Sequence, residues 1–485
     1  MKMMINGKRT DAKDNAVIQV LNSATQEFID TVPAATEEDV LAAIAAAQEG
    51  KESWGDTPQH KRSELLMKCA DAIDNNLETL THMLTTEMGK IITEARAEVD
   101  CTAQIFRGFA EMANHFYGQT MSEFQKGSET DIIFTKNEPL GVVACITPFN
   151  YPTELCYHKV AAALSVGNAV IIKPATDNPL TVMRIAELCL EAGIPGNVLQ
   201  VVTGRGQKIG RVLAAAEGVN KISLTGSTEV GVEVATLAAK TLKRLSLELG
   251  GNDPFIVFED ADMDLAVAEA VAGRLKNAGQ TCVAPKRFIV QNTVLNAFTE
   301  KVIESLKKIR LGSPLSEDTQ LGSLINVKAA QKVFEQVQHT VAQGAKCVYG
   351  GNAYDQSYFE PTVLTNVTKD MDIAVDMEVF GPVLPIIGFD TFNEAIEIAN
   401  HTPFGLQAGV MTKDSTKAIR AASKIKAGAV IINGSGNYRN IDQPFGGVKM
   451  SGMGREGVSC TLSEMTQVKS YVLKRIMVDS EGCNS

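Results

Sequence analysis

The chain has 485 residues, 45% of them apolar and 21% charged, with a formal net charge of -11. That length supports two or three domains around a large core. The acidic balance excludes a nucleic-acid surface, which needs clustered Lys and Arg, but not a small anionic substrate, which needs only one or two local cations. Residues 1–14 lack a signal-peptide core, and no window approaches the roughly 20 apolar residues of a membrane span, so no membrane contact is expected. The nine cysteines are scattered without a C-x-x-C, and the six histidines form no spaced cluster. We therefore expect reduced thiols, a cytoplasmic location and no metal.

Residues 1–35 read as short strands and turns. Thr36 stands before Glu37, Glu38 and Asp39, a helix cap followed by the acidic first turn that the helix dipole favours. From about 58 to 117 the chain reads as helices, with Leu66, Cys69 and Ile73 at core spacing. His60, His82 and His115 read there as surface or packing residues. Residues 119–138 break the helical pattern and contain a strand-like stretch at 131–136. Apolar strands at 141–146, 169–172, 198–202, 221–224 and 244–247 then alternate with helical stretches such as 181–192 and 228–239. Such alternation means a parallel sheet covered on both faces, and ligands of these sheets bind beyond the strands' carboxyl ends. The polar residues lie there: Pro148-Phe149-Asn150, Lys173-Pro174-Ala175-Thr176, Thr203-Gly204-Arg205-Gly206, Thr225-Gly226-Ser227 and Glu248-Leu249-Gly250-Gly251. Five such ends make a case for a nucleotide site, with phosphate at Gly226-Ser227 and the start of the next helix.

A second alternation follows, with strands at 254–258, 287–291, 384–387 and 429–432 and helices at 265–276, 294–309 and 392–400. Inside it lies Lys276-Asn277-Ala278-Gly279-Gln280-Thr281-Cys282. A thiolate attacks a carbonyl far better than a hydroxyl does, and Gly279 permits a sharp turn or a close approach. Taken alone, a free Cys is more often a small buried hydrophobe, Glu248 an ordinary strand-end carboxylate and Asn150 a turn residue. The run 452–457 matches G-x-G-x-x-G, but no buried strand leads into it, and it reads as a turn.

As a set, TPFN at 147–150, KPA at 173–175, TGS at 225–227, ELGG at 248–251, GQTC at 279–282, EVFGPV at 378–383 and PFGGVKMSGMGREG at 444–457 resemble the aldehyde dehydrogenase superfamily, in order and over nearly the whole chain. The resemblance implies an α/β fold of two doubly wound parallel-sheet domains with a small β oligomerisation element. Residues 1–118 and 139–249 would form the dinucleotide-binding domain, 250–445 the catalytic domain, and 119–138 and 462–480 the strands of a homodimer or homotetramer. It also implies oxidation of an aldehyde to the acid with NADP or NAD. Cys282 would form a thiohemiacetal and then a thioester, Asn150 and the Cys282 N–H would hold the oxyanion, and Glu248 would activate the hydrolytic water.

For the cofactor, the resemblance implies Lys173 at the adenosine ribose, Ser227 at the pyrophosphate, Glu378 at the nicotinamide ribose and Phe380 beside the ring. Thr147, Pro148, Phe149, Thr176, Gly206, Thr225 and Leu249 would complete the site. Thr176 stands where many NAD-preferring relatives carry Glu; it removes repulsion of a 2′-phosphate and offers a hydroxyl donor, so NADP should be accepted. For the substrate it points to Asn150, Tyr157, His158, Thr281, Val283, Ser435, Tyr438 and Arg439, with His115 from the helical segment. This polar set favours a short polar or anionic aldehyde of semialdehyde, lactaldehyde or sulfo-aldehyde type, and Arg439 offers a planar fork to an acid group. Two rivals are a CoA-acylating dehydrogenase, which usually lacks the base that Glu248 supplies, and a non-catalytic structural or binding protein, against which the set Cys282, Glu248 and Asn150 weighs.

Overall fold

Val142–Ile146 and Ala169–Lys173 are buried along their whole length, as strands covered on both faces must be. The computed structural model describes residues 1–122, 125–352 and 356–476, and these two strands sit inside an eight-stranded sheet. Its parallel core runs Arg244–Glu248, Lys221–Thr225, Val142–Ile146, Ala169–Lys173, Leu199–Val201. Met3–Ile5 and Lys8–Thr10 extend one edge. Gly452–Met453 adds to the other edge antiparallel, with Gly452 opposite Glu248. Only glycine fits there: φ is 128°, and a Cβ would collide with the Leu247 carbonyl. The G-x-G-x-x-G run thus lies against the strand that carries Glu248.

Helices cover both faces. Thr36 and Asp39 form a capping box that starts Glu37–Gly55, the reciprocal pairing that satisfies two orphan amides at once. Gln59–Asp74, Ile92–Ala113 and Pro152–Ser165 pack one face, around Leu66, Phe106, Phe109 and Tyr157. The other face buries Val40, Leu213 and Val234.

The second sheet has seven strands, in the order Lys346–Tyr349, Thr362–Thr365, Val383–Phe389, Arg287–Gln291, Pro254–Val257, Gln407–Met411, Ala429–Ile432. All neighbours are parallel except the first pair. Pro254 is tolerated because it opens its strand. Three of these strands, Lys346–Tyr349, Thr362–Thr365 and Gln407–Met411, had no clear apolar run in the sequence. The helices Val327–Ala342 and Ser415–Lys424 were likewise not anticipated.

Thr466–Leu473 pairs along its length with Ile132–Pro139, and Thr120–Met121 pairs on the far side. Residues 462–464 of the expected 462–480 strand instead end the helix Val458–Glu464, and 477–480 lie outside the described residues. Among the described residues no helix is long and apolar enough to cross a membrane.

One buried cation ties the second sheet to its surroundings. Arg287 donates to the carbonyls of Asn252 at 2.7 Å, Ala374 at 3.3 Å, Ile398 at 2.7 Å and Ala399 at 2.8 Å. Removing the guanidinium takes a donor from each of these buried carbonyls, and only that of Ile398 keeps a second one, the His401 N–H at 3.2 Å, among the bonds described; a carbonyl left unpaired costs about 1–3 kcal/mol before relaxation. Arg287→Met should lower the denaturant midpoint by an amount equivalent to about 3 kcal/mol or more, followed by intrinsic fluorescence or circular dichroism.

Candidate active site

The segment that carries Cys282 begins where helix Met263–Leu275 stops. Asn277, Ala278 and Gly279 follow with φ of 51°, 54° and 77°. Left-handed non-glycine residues cost of order 1–3 kcal/mol each and persist only when their surroundings hold them. Here Glu94 Oε2 accepts the Asn277 N–H at 2.9 Å, Asn277 Nδ2 donates to the Asn150 carbonyl at 2.9 Å, and Gln280 Oε1 accepts the Ile325 N–H at 2.9 Å. Gly279 rests on the backbone of Gly381, where any Cβ would collide with the Gly381 carbonyl. The loop thereby presents the half-buried Cys282. Burial pushes its thiol up to about 12; Lys286 opposes this, while Glu378, Glu248 and Asp253 add to it.

Asn150 follows the first core strand. Its carbonyl also accepts from Lys90 Nζ at 2.9 Å, and its Oδ1 accepts the Tyr151 N–H at 3.1 Å. Both oxygens are thus used inward, and among the described residues no acceptor engages Nδ2, which is free to donate to a ligand.

Glu248 ends the strand Arg244–Glu248 and is buried, and its Oε2 has no partner. Burial first, then the charge of Glu456, raises its carboxyl well above the ordinary range. Glu456 is held differently. Burial pushes it up, but its ion pairs with Lys159 Nζ and, at 2.9 Å, Arg439 outweigh that and keep it ionised. Arg439 also stacks over Phe445 at 4.3 Å, and Phe445 packs with Val283 and Cys282. Two neighbouring carboxyls are therefore poised oppositely, one ionised and one easily protonated, an arrangement suited to a general base working near neutral pH.

Beside Cys282 and Asn150 opens a cavity of about 790 Å³. The structure brings every expected cofactor residue to its wall, from Thr147, Pro148 and Phe149 through Lys173, Thr176, Gly206, Thr225, Ser227 and Leu249 to Glu378 and Phe380. A dinucleotide fits this wall. Ser227 caps helix Thr228–Ala239 and accepts the Val230 N–H at 3.4 Å, so the remaining first-turn amides and the dipole face the cavity and suit a pyrophosphate. Thr225 Oγ1 is buried without a partner. Lys173, lowered to about 8 by burial, keeps enough charge for a ribose or a phosphate.

The expected substrate residues separate. Tyr157 faces the helical core, donating to the Val182 carbonyl at 2.6 Å; its helix turns it away from the site. Ser435 lies against Gly273, its amide held by Glu269 at 2.9 Å. Thr281 folds back toward the Lys276 carbonyl at 3.5 Å. His115 is exposed and meets Tyr117, and Tyr438 is exposed as well. Arg439 is neither free nor solvated: besides Glu456 it has Glu154 at 3.9 Å. His158 is buried edge-on against Phe109, and both ring nitrogens lack partners. Burial lowers it to about 3, which keeps the ring neutral. Thr176 also differs from expectation. Its hydroxyl donates to the Gly204 carbonyl at 3.2 Å, so what it offers a 2′-phosphate is the absence of charge.

Sequence reasoning missed Lys159, Glu456, Lys90 and Lys286. The three lysines each stand inside or beside an apolar run, a pattern that signals a buried ion pair, whereas Glu456 sits in the glycine-rich stretch 452–457, where nothing local marks it. Lys328, Lys332 and Gln336 of the cavity wall went unseen because their helix did.

Two parallel-cored sheets with a thiol, an amide donor and a dinucleotide cavity between them define an NAD(P)-dependent oxidoreductase. The model of the aldehyde dehydrogenase family matches residues 10–471, and the chain belongs to that family. It is 38% identical over 475 residues to the lactaldehyde dehydrogenase of Methanococcus vannielii, covering 97% of this chain and 99% of that one. It is 39% identical over 457 residues to the 3-sulfolactaldehyde dehydrogenase of Priestia aryabhattai, covering 94% of each. The solved structure of betaine aldehyde dehydrogenase from Staphylococcus aureus in complex with NAD+ superposes with a TM-score of 0.95 at 34% identity, covering 99% of this chain and 95% of that one.

A carboxylate at position 176 would face a bound 2′-phosphate with like charge. Thr176→Glu should raise the KM for NADP at least about tenfold, equivalent to about 1.4 kcal/mol, and leave the KM for NAD within about twofold, read by initial rates with each cofactor.

Proposed function

We propose that this protein oxidises a short polar aldehyde to its carboxylic acid with NADP or NAD, using Cys282 as nucleophile, Asn150 as oxyanion donor and Glu248 as general base. The observation that supports this above all is the meeting of Cys282 and the free Asn150 amide at the cavity wall, with the unpartnered Glu248 carboxyl close enough for its charge to act on the thiol. Cys282 Sγ bonds to the aldehyde carbon as the thiol's proton passes to water in the cavity, and Asn150 Nδ2 with the Cys282 N–H holds the oxyanion of the thiohemiacetal. The bound nicotinamide serves as hydride acceptor. Glu248 then takes a proton from water, whose oxygen adds to the thioester carbonyl and releases the acid and the Cys282 thiol. Glu248 argues for water over CoA as the acyl acceptor. Lys173 and Ser227 bind the adenosine half of the cofactor, and Glu378 and Phe380 its nicotinamide half.

For the substrate tail, the neutral His158 with two unpartnered nitrogens is a donor and an acceptor in search of a polar group. Arg439, already paired to Glu456 and Glu154, is a weaker receptor for an acid. Both favour a hydroxyl-bearing aldehyde of the lactaldehyde type over a dicarboxylic semialdehyde. Val468 and Val472, exposed on Thr466–Leu473, favour pairing with a second copy to cover that edge.

Reduced-cofactor absorbance with lactaldehyde, succinic semialdehyde, sulfoacetaldehyde and an unsubstituted aldehyde of equal length, without CoA, tests this reading. Lactaldehyde should lead in kcat/KM, and His158→Phe should cut its advantage over the unsubstituted aldehyde about tenfold. Turnover that appears only when CoA is added would overturn the hydrolytic step.

The raised Glu248 carboxyl sets the pH profile. The base acts only when ionised, so kcat should climb with pH above the ordinary carboxylate range. Glu248→Gln should lose about 10²–10⁴-fold in steady-state turnover, yet still release a burst of about one reduced cofactor per site, because acylation precedes the water step.

A further inference from the structure

Lys286 is the buried cation of the nucleophile segment, four residues past the thiol. Its ammonium has three protons to place, and each has a partner. Nζ donates to the Thr281 carbonyl at 3.0 Å and the Cys282 carbonyl at 2.5 Å, and it pairs with Glu378 Oε1 at 3.2 Å. The same Oε1 accepts the Gly251 N–H at 2.9 Å. Glu378 Oε2 remains over Gly250, on the wall of the cofactor cavity. The ring of Phe380 lies 5.5 Å from Nζ. One ammonium therefore grips the two peptide carbonyls that flank the Cys282 Cα and orients the carboxylate on the cavity wall.

We infer that Lys286 is a positioning residue that couples the two halves of the reaction: it fixes the Cys282 carbonyl and the loop behind it, supplies the positive charge that favours the thiolate, and aims Glu378 at the nicotinamide-side ribose. The inference rests on the proposed reaction only in taking Cys282 as nucleophile and Glu378 as cofactor ligand.

The charges around Cys282 set the expected signs. From the strand end comes Glu248, from just before the next strand Asp253, and from the segment before Val383–Phe389 Glu378; all three oppose ionisation of the thiol, and Lys286 is the leading charge that favours it. Glu378 and Asp253 also face Lys286 itself. A cation this close to a thiol lowers its pKa. Removing Lys286 should make the thiol harder to ionise, and neutralising Glu378 should make it easier. A scaffold role would move neither in opposite directions.

The test is the pH dependence of iodoacetamide alkylation of Cys282 in the cofactor-free protein, located by peptide mass spectrometry, in Lys286→Met, Lys286→Arg and Glu378→Gln. Lys286→Met should move the alkylation limb at least about one pH unit alkaline, about tenfold less thiolate at a given pH below it. Lys286→Arg keeps the charge and should restore most of that shift, and Glu378→Gln should move the limb to lower pH. Lys286→Met should also weaken NADP binding several-fold by titration of protein fluorescence. A Lys286→Met limb that coincides with the parent's overturns the inference. Should that variant fail to fold, Glu378→Gln decides: a limb moved to lower pH supports the coupling, and an unmoved limb overturns it. Alkylation needs no aldehyde, so inactivity on every aldehyde would sink the proposed reaction while leaving this test readable.

Discussion

The site depends on one close approach of two backbones. Gly279 lies on Gly381 with no room for a side chain, and this contact sets the left-handed turn at 277–279 against the segment that carries Glu378. Everything else about the thiol follows from it. The turn would relax if it were free, since Asn277 and Ala278 gain nothing from their own conformations. The neighbours that hold it, Glu94, Asn150 and Ile325, come from the helical layer, the first sheet and the approach to Val327–Ala342. The Cys282 loop is thus placed by three separate parts of the chain, and its strain is spread over hydrogen bonds that were needed in any case to satisfy buried polar groups.

Around that frame the fold arranges charges in pairs with unequal outcomes. Glu456 and Glu248 are close enough to feel one another, and the cations stand on the Glu456 side. Lys159 from Pro152–Ser165 and Arg439 from the loop before Phe445 commit Glu456 to the ionised form, and its charge is part of what keeps Glu248 protonatable. Buried ion pairs of this kind add little to stability, because desolvation offsets most of the attraction. Their value here is in fixing which of two carboxyls can exchange a proton.

Much of this was legible in the chain. The five parallel core strands of the first sheet announce themselves because covered strands are largely apolar, and the polar residues at their ends fall where a parallel sheet leaves room for a ligand. Thr36 with Asp39 signals its helix start by local chemistry alone. The site residues tied to contiguous motifs, from Asn150 to Cys282, could be placed by resemblance. What stayed hidden depends on contacts between distant segments. Gln407–Met411 carries a Gly and opens on a polar residue, so nothing local marks it as central. The direction of Tyr157 is set by the phase of its helix, one residue away from that of His158. The partners of Arg439 lie on two other elements, and sequence cannot distinguish a guanidinium waiting for a substrate from one already satisfied.

The edge pairing of Gly452–Met453 with Leu247 and Glu248 has a consequence for biosynthesis. The strand that bears Glu248 and the strand that completes its sheet are made far apart in time, and Phe445 and Glu456 come from the same late stretch. A nascent chain that has not reached this stretch lacks Phe445, Gly452 and Glu456, which surround the Glu248 strand and its carboxyl. The setting of the Glu248 carboxyl is therefore finished by the last-made stretch of the chain, which brings both the charge of Glu456 and the pairing of Gly452.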